Sequence, residues 1–281
     1  GPMAQPMPAP GLLNENPAHG LSGGRKESCA IHQVLALQRT QPQPRFVNQR
    51  GRLQGLTRRL LRHLQELGYP YLWRIWNYFP GINEDEQGLE RYRQFCIGRH
   101  QALSESLHGF PDSLPAGTAV GTRSGPLQLF VLAGTHPAVH LGNPRQIHAY
   151  EYPQRYGPCS PSFARATLLQ SDLVTQLCIS GTASVVGHES RHIGKPGAQA
   201  LETVENLRAL IAHAGELTSS LSSLQSLHRY YKVYVRHPEQ LAMIQHALNI
   251  PFFASSQMLY LQGDLCRPEL LVEIEGIVTT D

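Results

Sequence analysis

Several kinds of feature are scarce in this chain of 281 residues. Its five cysteines, Cys29, Cys96, Cys159, Cys178 and Cys266, are scattered singly with no C-x-x-C pair. That argues against a zinc ribbon, a dithiol redox motif and a disulfide framework alike, and reduced thiols are the expectation. No window approaches the roughly 18 consecutive apolar residues of a membrane span, and the N-terminus lacks the basic-then-apolar layout of a secretion signal. The expected setting is cytoplasmic, away from membranes. Charged residues make up only 16%, and Lys+Arg exceed Asp+Glu by 24 to 21, a formal charge of +3. So small an excess makes no broad electrostatic case for nucleic acid, though a few local arginines suffice to hold a small anion.

What is present is an ordinary globular composition, 41% hydrophobic, long enough for one large domain or two of roughly 100–150 residues. Residues 1–55 carry Pro6, Pro8, Pro10, Pro17, Pro42 and Pro44 with little hydrophobic periodicity, and read as a flexible or divergent leader. Leu56, Leu60, Leu61, Leu64 and Leu67 then recur at helical spacing. The aromatic and β-branched run Tyr71–Phe79 predicts a strand. A helix over about 88–108 and strands near 118–122, 127–133 and 146–152 follow. The turn-rich run Gly157-Pro158-Cys159-Ser160-Pro161 marks the expected domain boundary. Beyond it come strands at 163–170 and 173–186, then a helix at 198–216 with Leu201, Val204, Leu207, Leu210 and Ile211 on one face. A strand at 230–236, a helix at 238–248 and strands at 257–261 and 270–278 complete the series. The order suggests two copies of one α+β module, residues 56–156 and 157–281, each a mixed sheet with two helices on one face.

The last strand is the most informative segment for chemistry. Alternation sets Leu270, Val272 and Ile274 on one face and Leu271, Glu273, Glu275 and Ile277 on the other. In a cleft, burial and the neighbouring carboxylate would raise the pKa of Glu273 into the range of a general acid; spacing alone favours a solvated edge pair. Arg267, entering the same strand, is suited to fork onto a substrate carboxylate. Its neighbour Cys266 has no feature that predicts a lowered thiol pKa. Arg145, Arg155 and Arg165 concentrate with Tyr150, Tyr152 and Tyr156 around the proposed junction. That mixture fits a planar dicarboxylate, and equally a surface loop or a protein contact. His188-Glu189-Ser190-Arg191-His192 matches the H-E-x-x-H zinc pattern literally. Gly187 and Gly194 bracket it, however, and a zinc hydrolase needs both histidines on one helical face, so no metal is expected.

Six separated strings occur together in one order: Leu72–Tyr78, Glu90–Cys96, Asn143–Pro153, Tyr156–Arg165, Ile179–Ser184 and Val272–Gly276. Taken together they resemble the chorismatase family, from about Leu67 to the C-terminus. The resemblance implies two fused RidA-like modules, and an enzyme that removes the enolpyruvyl group of chorismate as pyruvate with no cofactor. It places Glu273 on the catalytic acid. Arg155 and Arg165, with Arg145 and Arg267, fall on or near carboxylate-holding arginines, and Tyr150, Tyr152 and Tyr156 are pocket hydroxyls. Gly181 with Cys266 resembles the branch that forms 3-hydroxybenzoate, the alternative being hydrolysis to a dihydroxycyclohexadiene carboxylate. A non-catalytic binding protein on the same scaffold is a further alternative, against which retention of Glu273 and the arginines argues. The expected partner is thus a small molecule. The leader departs from the family pattern and leaves the completeness of the first module open, so that a dimer stands beside the expected monomer.

Overall fold

The leucine spacing does form a helix, but one that begins seven residues earlier than Leu56, as α1 (Gln49–Glu66). In the computed structural model, which describes residues 35–38, 49–221 and 226–280, Leu53, Leu56, Leu60, Leu61 and Leu64 turn one buried stripe inward. A short strand, β1 (Leu35–Gln38), lies inside the stretch left without secondary structure by its sequence. Residues 1–34 and 39–48 of that stretch, with Cys29, lie outside the described residues. After α1 come β2 (Tyr71–Pro80), the two-residue arms β3 (Asp85–Glu86) and β4 (Leu89–Glu90), α2 (Arg91–Ser106), β5 (Ala116–Thr122) and β6 (Gln128–Gly134). The sheet order is β1-β6-β2-β5. Both helices cover one face, where Ile75, Phe79, Leu129 and Val131 meet Leu60, Phe95 and Leu103.

The second sheet opens with β7 (Val139–Leu141), well before the turn-rich break at 157, so the change of sheet falls between Gly134 and Val139. It continues through β8 (Ala166–Gln170), β9 (Thr175–Ala183) and a small hairpin of β10 (Val185–Val186) and β11 (Glu189–Ser190). Then follow α3 (Pro196–Leu217), β12 (His228–Val235), α4 (Leu241–Leu248), β13 (Gln257–Gln262) and β14 (Val272–Thr279), in the order β13-β12-β14-β9-β8-β7. In each module the strand after the first helix runs parallel to the strand after the second and antiparallel to the last. The series β5-β2-β6-β1 therefore matches β13-β12-β14-β9, and the α+β class with two helices per mixed sheet is as expected. The strand expected at 146–152 is instead a loop with a single 3-10 turn at Ala149–Glu151. Prolines at 144 and 153 bracket it, and the Arg165 guanidinium caps the carbonyl of Ile147. On α3, Val204, Leu207, Leu210 and Ile211 are buried as expected, but Leu201 is 46% exposed and Ala200 takes its place in the stripe. No helix among the described residues is long and apolar enough to cross a membrane.

The modules meet where edge strand β5 crosses the helix-free face of the second sheet. The Gly117 amide donates to Ser180 Oγ at 2.8 Å and the Ala116 amide to Thr167 Oγ1 at 2.9 Å. Trp73 and Leu132 pack on Cys178, and Val120 packs with Ala183, Tyr234 and Leu265. These contacts cover the face that carries the paired carboxylates. Leu207 is fully buried in the core between α3 and the second sheet. Leu207→Ala is expected to destabilise the protein by about 2–5 kcal/mol, read by urea denaturation.

Candidate active site

Glu273 stands on β14, an interior strand with Ala183 of β9 on one side and Tyr234 of β12 on the other. Period-two alternation puts Glu273 and Glu275 on one face, and sheet-on-sheet packing buries it, leaving the two residues 4% and 2% exposed. The solvated-edge reading of this pair is thereby corrected: β14 is not an edge and its polar face is not open. The two carboxylates differ in their company. Glu275 receives Arg74 Nη2 at 2.6 Å, Tyr234 Oη at 2.9 Å, Lys232 Nζ at 3.1 Å and the Trp76 indole N–H at 3.2 Å, with the Thr118 hydroxyl also donating. Burial alone would raise its pKa, but the Arg74 and Lys232 charges and these hydrogen bonds hold it below the usual carboxylate range. Glu273 is raised to about 8, first by burial and then by the charge on Glu275, against the opposing pull of Arg74, Arg236 and Arg165. At neutral pH it carries its proton.

A backbone irregularity makes room for it. The β14–β9 register shifts between Ile274 and Gly276, leaving an extra residue on β9 around Ser180-Gly181. Such bulges redirect a strand beside functional groups. A Cβ at position 181 would lie 2.1 Å from Glu273 Oε1; only glycine leaves the carboxyl its seat. The Gly181 amide donates to Thr118 Oγ1 at 2.9 Å, which ties the bulge to the Glu275 network.

Glu273, Gly181 and Cys266 share a narrow cavity of about 40 Å³ with Asn77, Arg99 and Phe163. Burial pushes the Cys266 thiol up to about 12, so it is a thiol and no thiolate nucleophile. Arg236 clamps the loop that carries it, donating to the carbonyls of Leu265, Arg267 and Leu270. Arg99 reaches in from α2. Its Nε donates to the Ser162 carbonyl at 2.9 Å and Nη1 to Asn77 Oδ1 at 3.3 Å, while Nη2, buried, has no hydrogen-bond partner among the described residues. Burial lowers its pKa to about 10, which leaves it charged at neutral pH.

Beside the cavity, guanidinium groups and rings alternate outward. Arg165 lies 5.1 Å from the Phe163 ring and donates to Tyr152 Oη at 2.7 Å. Arg267 stacks 4.0 Å over Tyr156 and 5.3 Å from Tyr152, and Arg155 reaches the Tyr156 hydroxyl at 3.1 Å. Two expected site residues lie elsewhere. Arg145 is held on α3 by Glu202 at 2.6 Å and Asn206 at 2.7 Å; Tyr150 stacks on His148 and packs against the first module's core. The His-Glu-His string crosses a hairpin rather than a helix: His188 faces Arg155 and Tyr156, His192 faces Glu202. The two imidazoles therefore serve separate clusters. Arg99, Arg74 and Arg236 were not singled out by sequence, although two of them carried a signal. Arg99 shares a helix face with Phe95, Cys96, Ala102 and Leu103, all buried, and Arg74 interrupts an apolar strand.

Several known proteins are similar to this chain. The family model described as "Chorismatase FkbO/Hyg5-like, N-terminal" matches residues 34–133. A chorismatase crystal structure at 1.08 Å resolution superposes with a TM-score of 0.73 at 34% identity, covering 81% of this chain and 70% of that one. The chain belongs to the chorismatase family. Among curated chorismatase relatives, a 3-hydroxybenzoate synthase of Streptomyces hygroscopicus is 41% identical over 225 residues, 76% of this chain and 65% of its own length. A chorismatase of Streptomyces rapamycinicus is 38% identical over 75% of this chain and 65% of its own. The chain thus spans about 65% of the length of these curated relatives.

An acid whose folded pKa is raised from 4.5 to about 8 keeps its proton where the unfolded chain has lost it. Stability therefore falls as pH rises across that window, by up to about 1.4 kcal/mol per unit, and levels off above it. Glu273→Gln is expected to be more stable than the wild type at pH 7 and equal to it near pH 4, measured by urea denaturation across pH.

Proposed function

We propose that this chorismatase-family chain cleaves chorismate to pyruvate and 3-hydroxybenzoate. The observation that carries the reading is Glu273, a buried carboxyl that keeps its proton at neutral pH, set in one cavity with the unpaired Nη2 of Arg99. An enol ether is activated by protonation at its methylene carbon, which demands an acid held ready near neutral pH. Glu273 supplies that proton. The conjugate carboxylate then stabilises the oxocarbenium-like centre beside it. Arg99 anchors one substrate carboxylate through its free N–H, and Arg165 with Tyr152 lines the approach to the other. Arg267, Arg155 and Tyr156 extend that approach to the surface.

The product branch follows from water access. Chorismate has the composition of 3-hydroxybenzoate plus pyruvate, so aromatisation consumes no net water, whereas hydrolysis adds one. On the aromatising branch the ring C–O bond breaks and the ether oxygen leaves as the pyruvate ketone. The adjacent ring hydroxyl closes onto the vacated carbon, its proton returns to the Glu273 carboxylate, and the ring oxide rearranges to the phenol. A narrow cavity walled by Phe163 and the neutral Cys266 thiol favours this route by excluding water. The name of the Streptomyces hygroscopicus relative, 3-hydroxybenzoate synthase, supports the same branch.

Incubation with chorismate is expected to yield pyruvate and 3-hydroxybenzoate in equal amounts, with turnover reduced about 10²–10⁴-fold in Glu273→Gln. In the wild type kcat/KM should fall as pH rises through about 8, where Glu273 loses its proton. A non-aromatic diol as product would move the enzyme to the hydrolysing branch, and no turnover by folded protein would overturn the reading. Cys266→Ala is expected to raise the proportion of diol; an unchanged ratio would remove the thiol from the choice of branch.

A further inference from the structure

On the far side of Glu275 from the Glu273 cavity lies a second, larger one of about 300 Å³. The two share no lining residue. Its walls are the indole of Trp76, the phenol of Tyr230, Met258, Leu259 and Ile277, and its floor is the ion cluster Arg74, Lys232 and Glu275. We infer that this cavity is a second binding site, for a small aromatic monocarboxylate, separate from the reaction centre.

The charge count selects an anion. Two cations, Arg74 and Lys232, face one carboxylate, Glu275, and no other charged side chain lines the cavity among the described residues. A partly buried cluster left at +1 beside apolar walls favours one negative charge in a bound ligand. The cation available to it is Lys232. Arg74 is 1% exposed and engaged with Glu275, Thr118 and a backbone carbonyl. Lys232 has a side chain 41% exposed, with Nζ 3.1 Å from Glu275 Oε1 and 5.6 Å from the Trp76 ring centroid. An ammonium carries three donors, so it can hold Glu275 and still offer an N–H to a ligand carboxylate. The walls select the rest of the ligand. An indole, a phenol, a thioether and two aliphatic side chains present the surface against which flat rings pack well, and the volume is of the order of small-molecule sites. Leu259 and Tyr230, 54% and 43% exposed, are apolar surface that such a ligand would cover.

Titration calorimetry of the whole chain with benzoate, and with benzamide as its neutral isostere, tests this independently of any turnover. Saturable benzoate binding is expected, with benzamide, Lys232→Met and Leu259→Glu each weakening it by about tenfold or more, the size of one ionic hydrogen bond. Leu259 is exposed at the rim, so its substitution keeps the ion cluster intact if Lys232→Met fails to fold. Arg99→Ala, which alters only the Glu273 cavity, should leave this binding in place. Absence of saturable binding, equal binding of benzamide, or loss in Arg99→Ala with retention in Lys232→Met would each overturn the inference.

Discussion

Two carboxylates lie two residues apart on one buried strand, and the low-dielectric junction between the sheets cannot carry both as anions without a matching cation for each. Arg74 and Lys232 serve Glu275, so Glu273 is left as the acid. The rest of the site depends on that division. Arg74 comes from β2 of the first module and Glu275 from β14 of the second, so the packing of one module on the other also sets the proton occupancy of Glu273. Glu275 takes part as a fixed charge rather than as a donor.

The backbone contributes as much as the side chains. The bulge on β9 and the bare Cα of Gly181 give the Glu273 carboxyl its place, and Arg236 fixes the loop behind Cys266 through three carbonyls. The acid and the thiol beside it are thus held by elements that contribute no chemistry of their own. Preorganisation of this kind spares the site a rearrangement at the moment charge develops.

Much of this was legible in the sequence wherever the signal is local. Period-two spacing placed Glu273 and Glu275 on one face, and all four helices were anticipated, although α1 begins seven residues before the leucine spacing does. What it could not convey was burial, because whether a strand is interior or an edge depends on partners distant in sequence, here Tyr234 and Ala183 on either side of Glu273. The same limit explains Arg145, whose acidic partner Glu202 arrives on a distant helix turn, and the loop at 146–152, where prolines and a side-chain cap overrode a strand-like pattern. Arg99 went unnoticed because a basic residue in a helix is usually solvated; here its apolar neighbours at i−4, i−3, i+3 and i+4 carried the opposite message.

The matched strand orders of the two sheets have one more implication. The counterpart of β14 in the first module is β6, and where β14 turns Glu273 and Glu275 toward the junction, β6 turns Phe130 and Leu132, the latter packed on Trp73 and Cys178. The repeated architecture is consequently lopsided in its chemistry. One half has a proton donor on its central ladder, and the other has a greasy wedge in the corresponding place, acting as a lining and a clamp. Pseudo-symmetry of the backbone has not been matched by the side chains; among the described residues one half holds the buried protonated carboxyl, and the other half is the wall packed against it.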